Sequence, residues 1–276
     1  MAQPRVHFTS SNLFITLVWI AILVCAWEIG AAYIETVKRT PENVLPHLWQ
    51  IVQSVFSDKA VAGGLTARQI VLNAAAATLA RAGIGFAIGT GIGFGLALLM
   101  KLSGIVEKIA FPYLMIIQMI PILGMAPIVL GITGDIGQSR IVIAAILTFY
   151  PVAANTLAGL KSVEPEKDSL FLSYAATRPQ TYVKLYIPVA LPYFFTGMKI
   201  AAPLAITASI LVDTLQGDGG LGCMLSQSLK HAMSIFVFWQ IVFFSAIVGV
   251  LSINAVTLAE RLALPNERRA RKWSKA

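Results

Sequence analysis

Charged residues are scarce in this chain of 276 residues. Asp, Glu, Lys and Arg make up 12% of it, whereas apolar side chains make up 57% and the mean hydropathy is +0.76. A soluble domain carries about 25% charged residues. So few charges cannot cover the surface of a soluble core of this size. The composition therefore excludes an ordinary water-soluble enzyme and indicates a protein surrounded largely by lipid.

Residues that catalyse reactions or bind metals are also scarce. The chain contains three histidines, His7, His47 and His231, and two cysteines, Cys25 and Cys223. HExxH and CxxC motifs and the Gly-Lys pair of a phosphate-binding loop are all absent. An intramembrane enzyme needs a nucleophile with a base, or metal ligands that face one cavity, and two cysteines supply neither a metal site nor a disulfide framework. We therefore expect no catalytic residue and no metal in this chain.

Six segments are long enough and apolar enough to cross a bilayer as helices. About 20 apolar residues, each rising 1.5 Å, span a hydrocarbon layer of about 30 Å. Five runs contain no Asp, Glu, Lys, Arg or His: residues 8–27, 82–100, 109–134, 141–160 and 232–259. A sixth, residues 193–212, is interrupted only by Lys199. Because the runs are continuous and do not alternate, we predict an all-α membrane protein with six transmembrane helices.

Basic residues indicate the side of the membrane on which the termini lie. The cations of the C-terminal tail are Arg268, Arg269, Arg271, Lys272 and Lys275. Under the positive-inside rule such a tail stays in the cytoplasm, and six spans bring the N-terminus to the same side. A basic tail directly after a span is attracted to anionic lipid, and a single aromatic residue in it does not favour nucleic acid. We therefore expect both termini in the cytoplasm, with lipid and not nucleic acid as the tail's partner.

The runs and charges divide the chain into three regions. Residues 1–73 comprise an N-terminal tail, the first transmembrane helix and an external segment. Residues 74–260 comprise a five-helix core, and residues 261–276 form the basic cytoplasmic tail. We expect the core to carry the function.

Glycines are dense in the second run. They are Gly83, Gly85, Gly89, Gly91, Gly93 and Gly95. This spacing fits GxGxxG in no register, so a dinucleotide site is not indicated. Small residues four positions apart, such as Gly85 and Gly89 or Gly91 and Gly95, let a second helix approach closely. We expect these glycines to serve helix packing.

A polar segment, residues 161–192, separates the fourth run from the fifth. Glu164, Pro165 and Glu166 are typical of a helix start, because proline suits the first turn and acidic residues favour the positive end of the helix dipole. Pro179 then interrupts the helix, and two further prolines precede the next span. We predict a short helix, a bend and a second, amphipathic helix on the cytoplasmic membrane face.

From residue 155 to residue 192 the sequence resembles the cytoplasmic EAA loop of permease subunits of type I bacterial ABC importers, and most closely the nitrate, sulfonate, taurine and bicarbonate branch. Residues 164–166 match the Asp-Pro-Glu start, residues 175–180 the Gly-Ala-Ser-Arg-Trp-Gln core and residues 187–192 the closing Leu-Pro-x-Ala-Leu-Pro. Ser169, Leu170 and Phe171 replace Glu-Ala-Ala, and Ala175 replaces the loop glycine. Further similarity extends from about residue 75 to residue 260.

The resemblance implies an assembly and a role for the loop. The assembly contains a second permease copy, with a homodimer expected and a sister permease as the alternative, together with two cytoplasmic ATPases and an extracytoplasmic solute-binding protein. ATP and Mg are bound by the partner ATPase, so no cofactor is expected in this chain. Residues 161–192 would contain a coupling helix that docks in a groove of the ATPase. The expected docking residues are Glu166, Ser173, Ala175, Ala176, Arg178 and Gln180.

Two features indicate a translocation path. Pro121 and Pro127 lie six residues apart in the third run, and irregular backbone at membrane depth is tolerated where it is buried in protein or lines a cavity. Candidates for the path are therefore Gln118, Met119, Pro121, Met125 and Pro127, with a helix kinked only for packing as the alternative. Lys199 could attract an anion within the membrane, or extend its stem to the headgroups.

These patterns and the resemblance together predict the permease of an ATP-driven uptake system in the bacterial inner membrane. It would move a small solute, an oxoanion such as nitrate or a sulfonate, by alternating access. A vitamin precursor such as a pyrimidine is the alternative for the same machinery. An ion-coupled secondary transporter would need mid-membrane carboxylates and an inverted repeat, and the sequence shows neither.

Overall fold

The computed structural model describes residues 10–216, 219–230 and 234–264, and helices account for most of them. Eleven α-helices are described: α1 Ser10–Val37, α2 Leu48–Phe56, α3 Ala67–Leu102, α4 Gly104–Met119, α5 Ile122–Thr133, α6 Ile136–Lys161, α7 Pro165–Ser173, α8 Arg178–Thr181, α9 Ile187–Gln216, α10 Leu221–Leu229 and α11 Ile235–Ala263. A 3₁₀ turn spans Pro41–Asn43 and a π turn spans Tyr182–Tyr186. Strands β1 Ala60–Ala62 and β2 Leu65–Thr66 pair as an antiparallel hairpin. The five basic residues predicted to hold the tail in the cytoplasm lie outside the described residues, as do His7 and His231.

The predicted all-α membrane fold is confirmed. Among the described residues, five spans are long and apolar enough to cross a bilayer, namely Phe14–Val37, Ala67–Leu102, Ile136–Lys161, Arg178–Leu215 and Ile235–Ala263. Helices α4 and α5 together make a sixth candidate, but they are bent by 107° at their junction. Length and composition therefore give five spans, or six if the bent pair crosses as one.

The bend occurs at Pro121, the second of three prolines in the third apolar run. Helix α4 ends at Met119, Ile120 is extended, and Pro121 caps the start of α5. Proline has no N–H and restrains the residue before it to extended backbone, so the helix stops here. Pro127, by contrast, lies within α5 and does not end it. Pro121 thus divides the run, whereas Pro127, like Pro112 within α4, is accommodated inside a helix.

Helix α6 lies at the centre of the bundle, between α3 and α9. A Cβ added to Gly85, Gly89 or Gly93 of α3 would come within 2.5–2.6 Å of an atom of α6, so close contact at these positions requires glycine. Close packing was predicted for Gly85 and Gly89, and it is confirmed there. For Gly91 and Gly95 the prediction was wrong within the subunit, because nothing lies within 4 Å of a Cβ at either position.

The segment between α6 and α9 follows the prediction only in its first half. Helix α7 begins after Glu164 with Pro165 in its first turn and ends at Ser173, and Ala175 then turns the chain with a φ of +50°. The prediction of a second helix separate from the next span is wrong, because α8 continues through the π turn into α9 without a break. Pro188 has no N–H to donate within the helix. The π turn lies directly before it, and there the N–H of Ile187 donates to the carbonyl oxygen of Tyr182, five residues earlier.

The bundle has two distinct ends. At one end lie α7 and α8, and this end is called the α7 end. At the other lie α2, the hairpin and α10, which pack on the first turns of α3 and α11 around Ile70, Leu221 and Ile241. Helix α3 runs from this second end, called the α10 end, to the α7 end. Helix α1 is almost entirely exposed and lies against the bundle through Trp27, which stacks edge-on against Trp239 at 4.8 Å.

Candidate functional site

The predicted docking residues lie together on an exposed segment at the α7 end. Glu166 and Ser173 belong to α7, Ala175 and Ala176 to the turn, and Arg178 and Gln180 to α8. All are exposed except the half-buried Ala176, and no residue of α7 is buried. The structure thus presents helix, turn and helix start as one projecting surface, called here the coupling segment (residues 164–181).

Two of the predicted docking side chains form hydrogen bonds within the segment itself. The Gln180 side chain accepts from the backbone N–H of Thr177 at 2.9 Å, which completes a capping box at the start of α8. The Ser173 hydroxyl donates to the carbonyl oxygen of Ser169 at 2.9 Å. These two residues therefore hold the shape of the coupling segment.

Large apolar side chains on the same surface were missed from the sequence. Leu172 and Tyr174 are each 79% exposed, and Leu170 is also exposed. Exposed apolar groups clustered on a polar segment are typical of a surface that contacts a protein or a membrane. The stretch DSLFLSY contained a signal for these exposed side chains. Its apolar residues do not all follow one face of the short helix, so they cannot all be buried against the bundle.

A cavity of about 630 Å³ separates the coupling segment from the bundle. Its walls come from α7, from α8 with the π turn, and from the end of α3. Polar groups line much of it, among them Lys101, Asp168, Arg178 and Tyr186. Helix α7 therefore projects from the bundle without packing flat against it.

The predicted path residues meet at the bend between α4 and α5. Gln118 and Met119 end α4, Pro121 lies in the bend, and Met125 and Pro127 follow on α5. One face of α5, carrying Ala126 and Val129, packs on α6 and α9. The opposite face of α5 is exposed, with Ile128 65% accessible. The structure brings the five residues together at the surface of the subunit, and their part in translocation stays a prediction.

Lys199 lies apart from that bend and has an acidic partner. Its Nζ atom is 2.6 Å from Oε2 of Glu260 on α11, and the two side chains are 27% and 23% exposed. The sequence showed a lone cation in an apolar run, whereas the structure shows an ion pair between α9 and α11. The positive charge is therefore balanced within the subunit, and contact with solute stays a prediction.

The sequence did not indicate the buried cluster around Asp213. Asp213 and Arg140 lie within α9 and α6, and both are fully buried. Nε of Arg140 lies 2.8 Å from Oδ1 of Asp213, and Nη1 of Arg81 lies 3.8 Å from it. The Thr78 hydroxyl donates to Oδ2 at 2.6 Å and accepts from the N–H of Leu221 at 2.9 Å. The cluster therefore ties α3, α6 and α9 to the start of α10.

Glycines close over this cluster. Gly220 has a φ of +95°, and a Cβ there would lie 2.2 Å from Oδ2 of Asp213. A Cβ on Gly222 would lie 1.9 Å from the carbonyl oxygen of Ile210. The Gly-Gly-Leu-Gly stretch thus supplies the close approach that buries Asp213.

A second polar cluster lies near the α10 end, between α1 and α2. Nδ1 of His47 is 2.5 Å from Oε2 of Glu28, and Nε2 is 3.2 Å from Oε1 of Glu35. The other oxygen of Glu28 accepts from the N–H of Leu48 at 2.9 Å. The hydrogen bond to Glu28, and then the one to Glu35, raise the pKa of His47 above its ordinary value. Within the described residues no group of three or more His, Cys, Asp or Glu could hold a metal ion.

A bundle of apolar helices with an exposed helical segment ahead of one span is the architecture expected of a permease subunit. Residues 87–265 match the family described as binding-protein-dependent transport system inner membrane component, and the chain belongs to this family. The predicted resemblance is therefore confirmed. The chain is the permease component of an ABC transport system in the inner membrane, and such components are not enzymes.

The relatives that this chain matches are permeases named for the transport of different solutes. The chain is 34% identical over 189 residues to the formylaminopyrimidine transport permease protein ThiX of Halalkalibacterium halodurans, covering 68% of this chain and 75% of the relative. It is 24% identical to the nitrate import permease protein NrtB of Synechocystis sp., covering 97% and 95%. It is 27% identical to the putative aliphatic sulfonates transport permease protein SsuC of Bacillus subtilis, covering 67% and 66%.

Solved structures show the same fold. An inward-facing structure of the MetNI methionine ABC transporter matches with a TM-score of 0.61 and 20% identity, covering 71% of this chain and 96% of that one. An amino acid ABC transporter with histidines matches with a TM-score of 0.59 and 20% identity, covering 70% and 94%. The predicted type I ABC permease fold is confirmed by these neighbours.

Proposed function

We propose that this chain imports a small polar solute by alternating access, driven by an ATPase that docks on the coupling segment. The observation that carries the proposal is the projecting surface at the α7 end, where Leu172 and Tyr174 are exposed beside the predicted docking residues. In water this surface leaves apolar area uncovered, so a partner protein would stabilise it. Glu166 and Arg178 add charges of opposite sign to the same surface.

The ATPase supplies the energy in this proposal. It binds ATP and Mg, and closure of its two copies moves the coupling segments of two permease copies together. Rigid helices then change their arrangement as bodies, which alternates access between the two faces of the membrane. The tight contacts of α3 with α6 support a bundle core that moves as one piece.

The path lies at the bend between α4 and α5 in this proposal. Backbone at Ile120 and Pro121 is non-helical and exposed on the subunit, yet at membrane depth such backbone must face protein or a water-filled cavity. A second permease copy opposite the exposed face of α5 meets this requirement. Gln118, Met119 and Met125 would then face the path between the two copies.

The α7 end faces the cytoplasm in this proposal. Lys101 and Lys108 lie on either side of the junction of α3 and α4. Lys161 ends α6, Lys167 lies in α7 and Lys184 lies in the π turn. The positive-inside rule places such a concentration of lysines on the cytoplasmic side. An extracytoplasmic solute-binding protein would then deliver solute at the α10 end, and both termini of the chain would be cytoplasmic.

The proposed solute is an oxoanion such as nitrate or a sulfonate. Similarity to NrtB over 97% of this chain and to SsuC supports it. A pyrimidine is the second candidate, and the higher identity to ThiX, over a shorter part of the chain, favours it. Because Lys199 is paired with Glu260, its charge does not favour an anion over a neutral solute.

Reconstitution tests the proposal. The permease, its ATPase and its binding protein are placed in liposomes, and uptake of labelled nitrate, an alkyl sulfonate and a formylaminopyrimidine is measured with and without ATP. We expect ATP-dependent uptake of nitrate or the sulfonate, which an ATPase variant unable to hydrolyse ATP abolishes. ATP-dependent uptake of the pyrimidine alone would show that the solute is the second candidate, a pyrimidine, and not an oxoanion. Uptake by the permease without any ATPase would refute the proposal.

A further inference from the structure

We infer that Tyr186 is a positioning residue that links the coupling helix α7 to the core of the bundle, and that this link is needed for efficient coupling of ATP hydrolysis to transport. The inference rests on the proposed docking of the ATPase on the coupling segment. It concerns a different step, namely how a movement of α7 reaches the membrane helices.

Helix α7 has little other support. None of its nine residues is buried, and a cavity of about 630 Å³ lies between it and the bundle. The chain joins it to α6 through residues 162–164 and to α8 through residues 174–177. A helix held only by two short connections would move without displacing the bundle. Transmission therefore requires a contact across the cavity.

Tyr186 makes that contact. Its hydroxyl donates to the carboxylate of Asp168 on α7, with Oδ1 at 2.7 Å and Oδ2 at 2.8 Å. A hydrogen bond to a carboxylate is stronger than one between neutral groups. Asp168 lies in the first turn of α7, so the bond fixes the start of the helix.

The ring of Tyr186 is held firmly on the other side. It packs against the buried cluster formed by α3, α4, α6 and the first turn of α9, which includes Met100 and Leu160. The ammonium group of Lys101, at the end of α3, lies 4.4 Å from the ring centroid, and Tyr182 contacts the ring edge-on at 5.0 Å. Such cation–π and aromatic contacts fix the orientation of the ring. One side chain thus connects α7 to the core.

The backbone around Tyr186 is also unusual. Residues 182–186 form a π turn, which is rare and is frequently found at functional sites. The extra residue in this turn changes the direction in which the tyrosine side chains leave the helix. This change of direction explains why the Tyr186 hydroxyl reaches Asp168 on α7 across the cavity.

The test uses the reconstituted complex with the variants Y186F and D168N and the double variant. Y186F keeps the ring and its contact with Lys101 but loses the bond to Asp168, and D168N weakens the same bond from the exposed side without touching the core. Y182F is the matched control, because it removes a hydroxyl from the neighbouring ring. The measured quantity is the number of solute molecules transported per ATP hydrolysed.

We expect both single variants to lower this ratio about three- to tenfold, the range that corresponds to one hydrogen bond, and the double variant to lower it no further. Y182F should match the wild type. With the ATPase docked on the coupling segment, a wild-type ratio in Y186F and D168N would overturn the inference. So would a double variant whose loss is the product of the two single losses, because the residues would then act separately.

A distance measurement separates this inference from the docking proposal. Spin labels are placed at Lys167 on α7 and Leu99 on α3, both exposed, in full-length permease in nanodiscs without ATPase and with Cys25 and Cys223 replaced by alanine. We expect the distance distribution to broaden in Y186F and D168N but not in Y182F. An unchanged distribution would overturn the inference even if transport falls. If the ATPase docks elsewhere, these distances still broaden, while the transport ratio stays at the wild-type value.

Discussion

Asp213 on α9 and Arg140 on α6 form an ion pair with both side chains fully buried and 2.8 Å between Oδ1 and Nε. Thr78 and the N–H of Leu221 extend the contact to α3 and α10. Removing one member of a buried pair leaves the other charge without compensation, at a cost of about 3–5 kcal/mol. This cluster therefore joins α3, α6, α9 and α10 through buried polar contacts, beside the apolar cluster around Ile70 at the same end.

The first prediction follows from that contact. D213N should strongly lower the midpoint of thermal unfolding of the purified permease. The substitution removes the carboxylate that lies next to both Arg140 and Arg81. D58N is the control, since Asp58 is exposed and its ion-pair partner, Arg68, is 3.9 Å away. Exposed pairs contribute about 0–1 kcal/mol, so D58N should leave the midpoint nearly unchanged. Equal midpoints for both variants would show that the buried pair does not hold the bundle.

The second prediction compares two glycines on one helix. G89A places a Cβ 2.5 Å from the carbonyl oxygen of Ala145 on α6, so α3 must move away and the thermal midpoint should fall. G91A meets nothing within 4 Å. Because alanine favours a helix by about 0.5–1 kcal/mol over glycine, G91A should leave the midpoint unchanged or raise it. A fall of the same size in both variants would contradict the packing of α3 on α6.

The third prediction concerns pH and His47. Glu28 and Glu35 raise its pKa in the folded protein, so the charged imidazole stabilises the contact between α1 and α2. This stabilisation is fully present below the unfolded pKa of about 6.5 and is lost as pH rises through the folded value. The midpoint of the wild type should therefore exceed that of H47Q by a constant amount below about pH 6, and the difference should shrink above neutrality. A difference that grows with pH would reverse the assigned sign.

Local signals in the sequence predicted some parts of this structure well. Proline and acidic residues at the start of α7 act within one turn, and the start at Pro165 was correct. Long apolar runs likewise predicted the spans, because lipid requires them whatever the tertiary contacts. Asp213 and Arg140 could not be paired in this way, since they are 73 residues apart and only the packing of α6 on α9 joins them.

In the coupling segment, too, local sequence signals did not predict every feature, although the residues concerned are close in the chain. The sequence indicated a bend at Pro179, but a proline in the first turn of a helix is compatible with that helix, and the chain turns earlier, at Ala175. The contact between Tyr186 and Asp168 depends on the π turn, for which the sequence has no periodic signal. Side-chain partners across the cavity therefore required the structure.

The fourth prediction tests the docking surface. L172D should reduce co-purification of the ATPase with the permease in detergent, because an exposed apolar side chain that a partner covers is replaced by a charge. S169A on the same helix is the control, since the Ser169 hydroxyl donates to the carbonyl oxygen of Pro165 within α7. R178A with Q180A should also weaken the complex, partly through loss of the cap at Thr177. Full co-purification with L172D and with R178A/Q180A would place the ATPase elsewhere.

The last prediction decides between two roles for Lys199. Its Nζ atom lies 2.6 Å from Glu260, so K199M leaves a half-buried carboxylate without its partner and E260Q leaves an ammonium group in the same position. Both single variants should therefore lower the thermal midpoint and uptake. The double variant K199M/E260Q removes both charges, and because neutral replacement of a pair is far less costly than breaking it, it should recover most of both. If Lys199 instead binds an anionic solute, uptake by the double variant stays as low as that of K199M while its midpoint recovers. Measuring midpoint and uptake on the same four proteins thus separates a contact between α9 and α11 from a contact with solute.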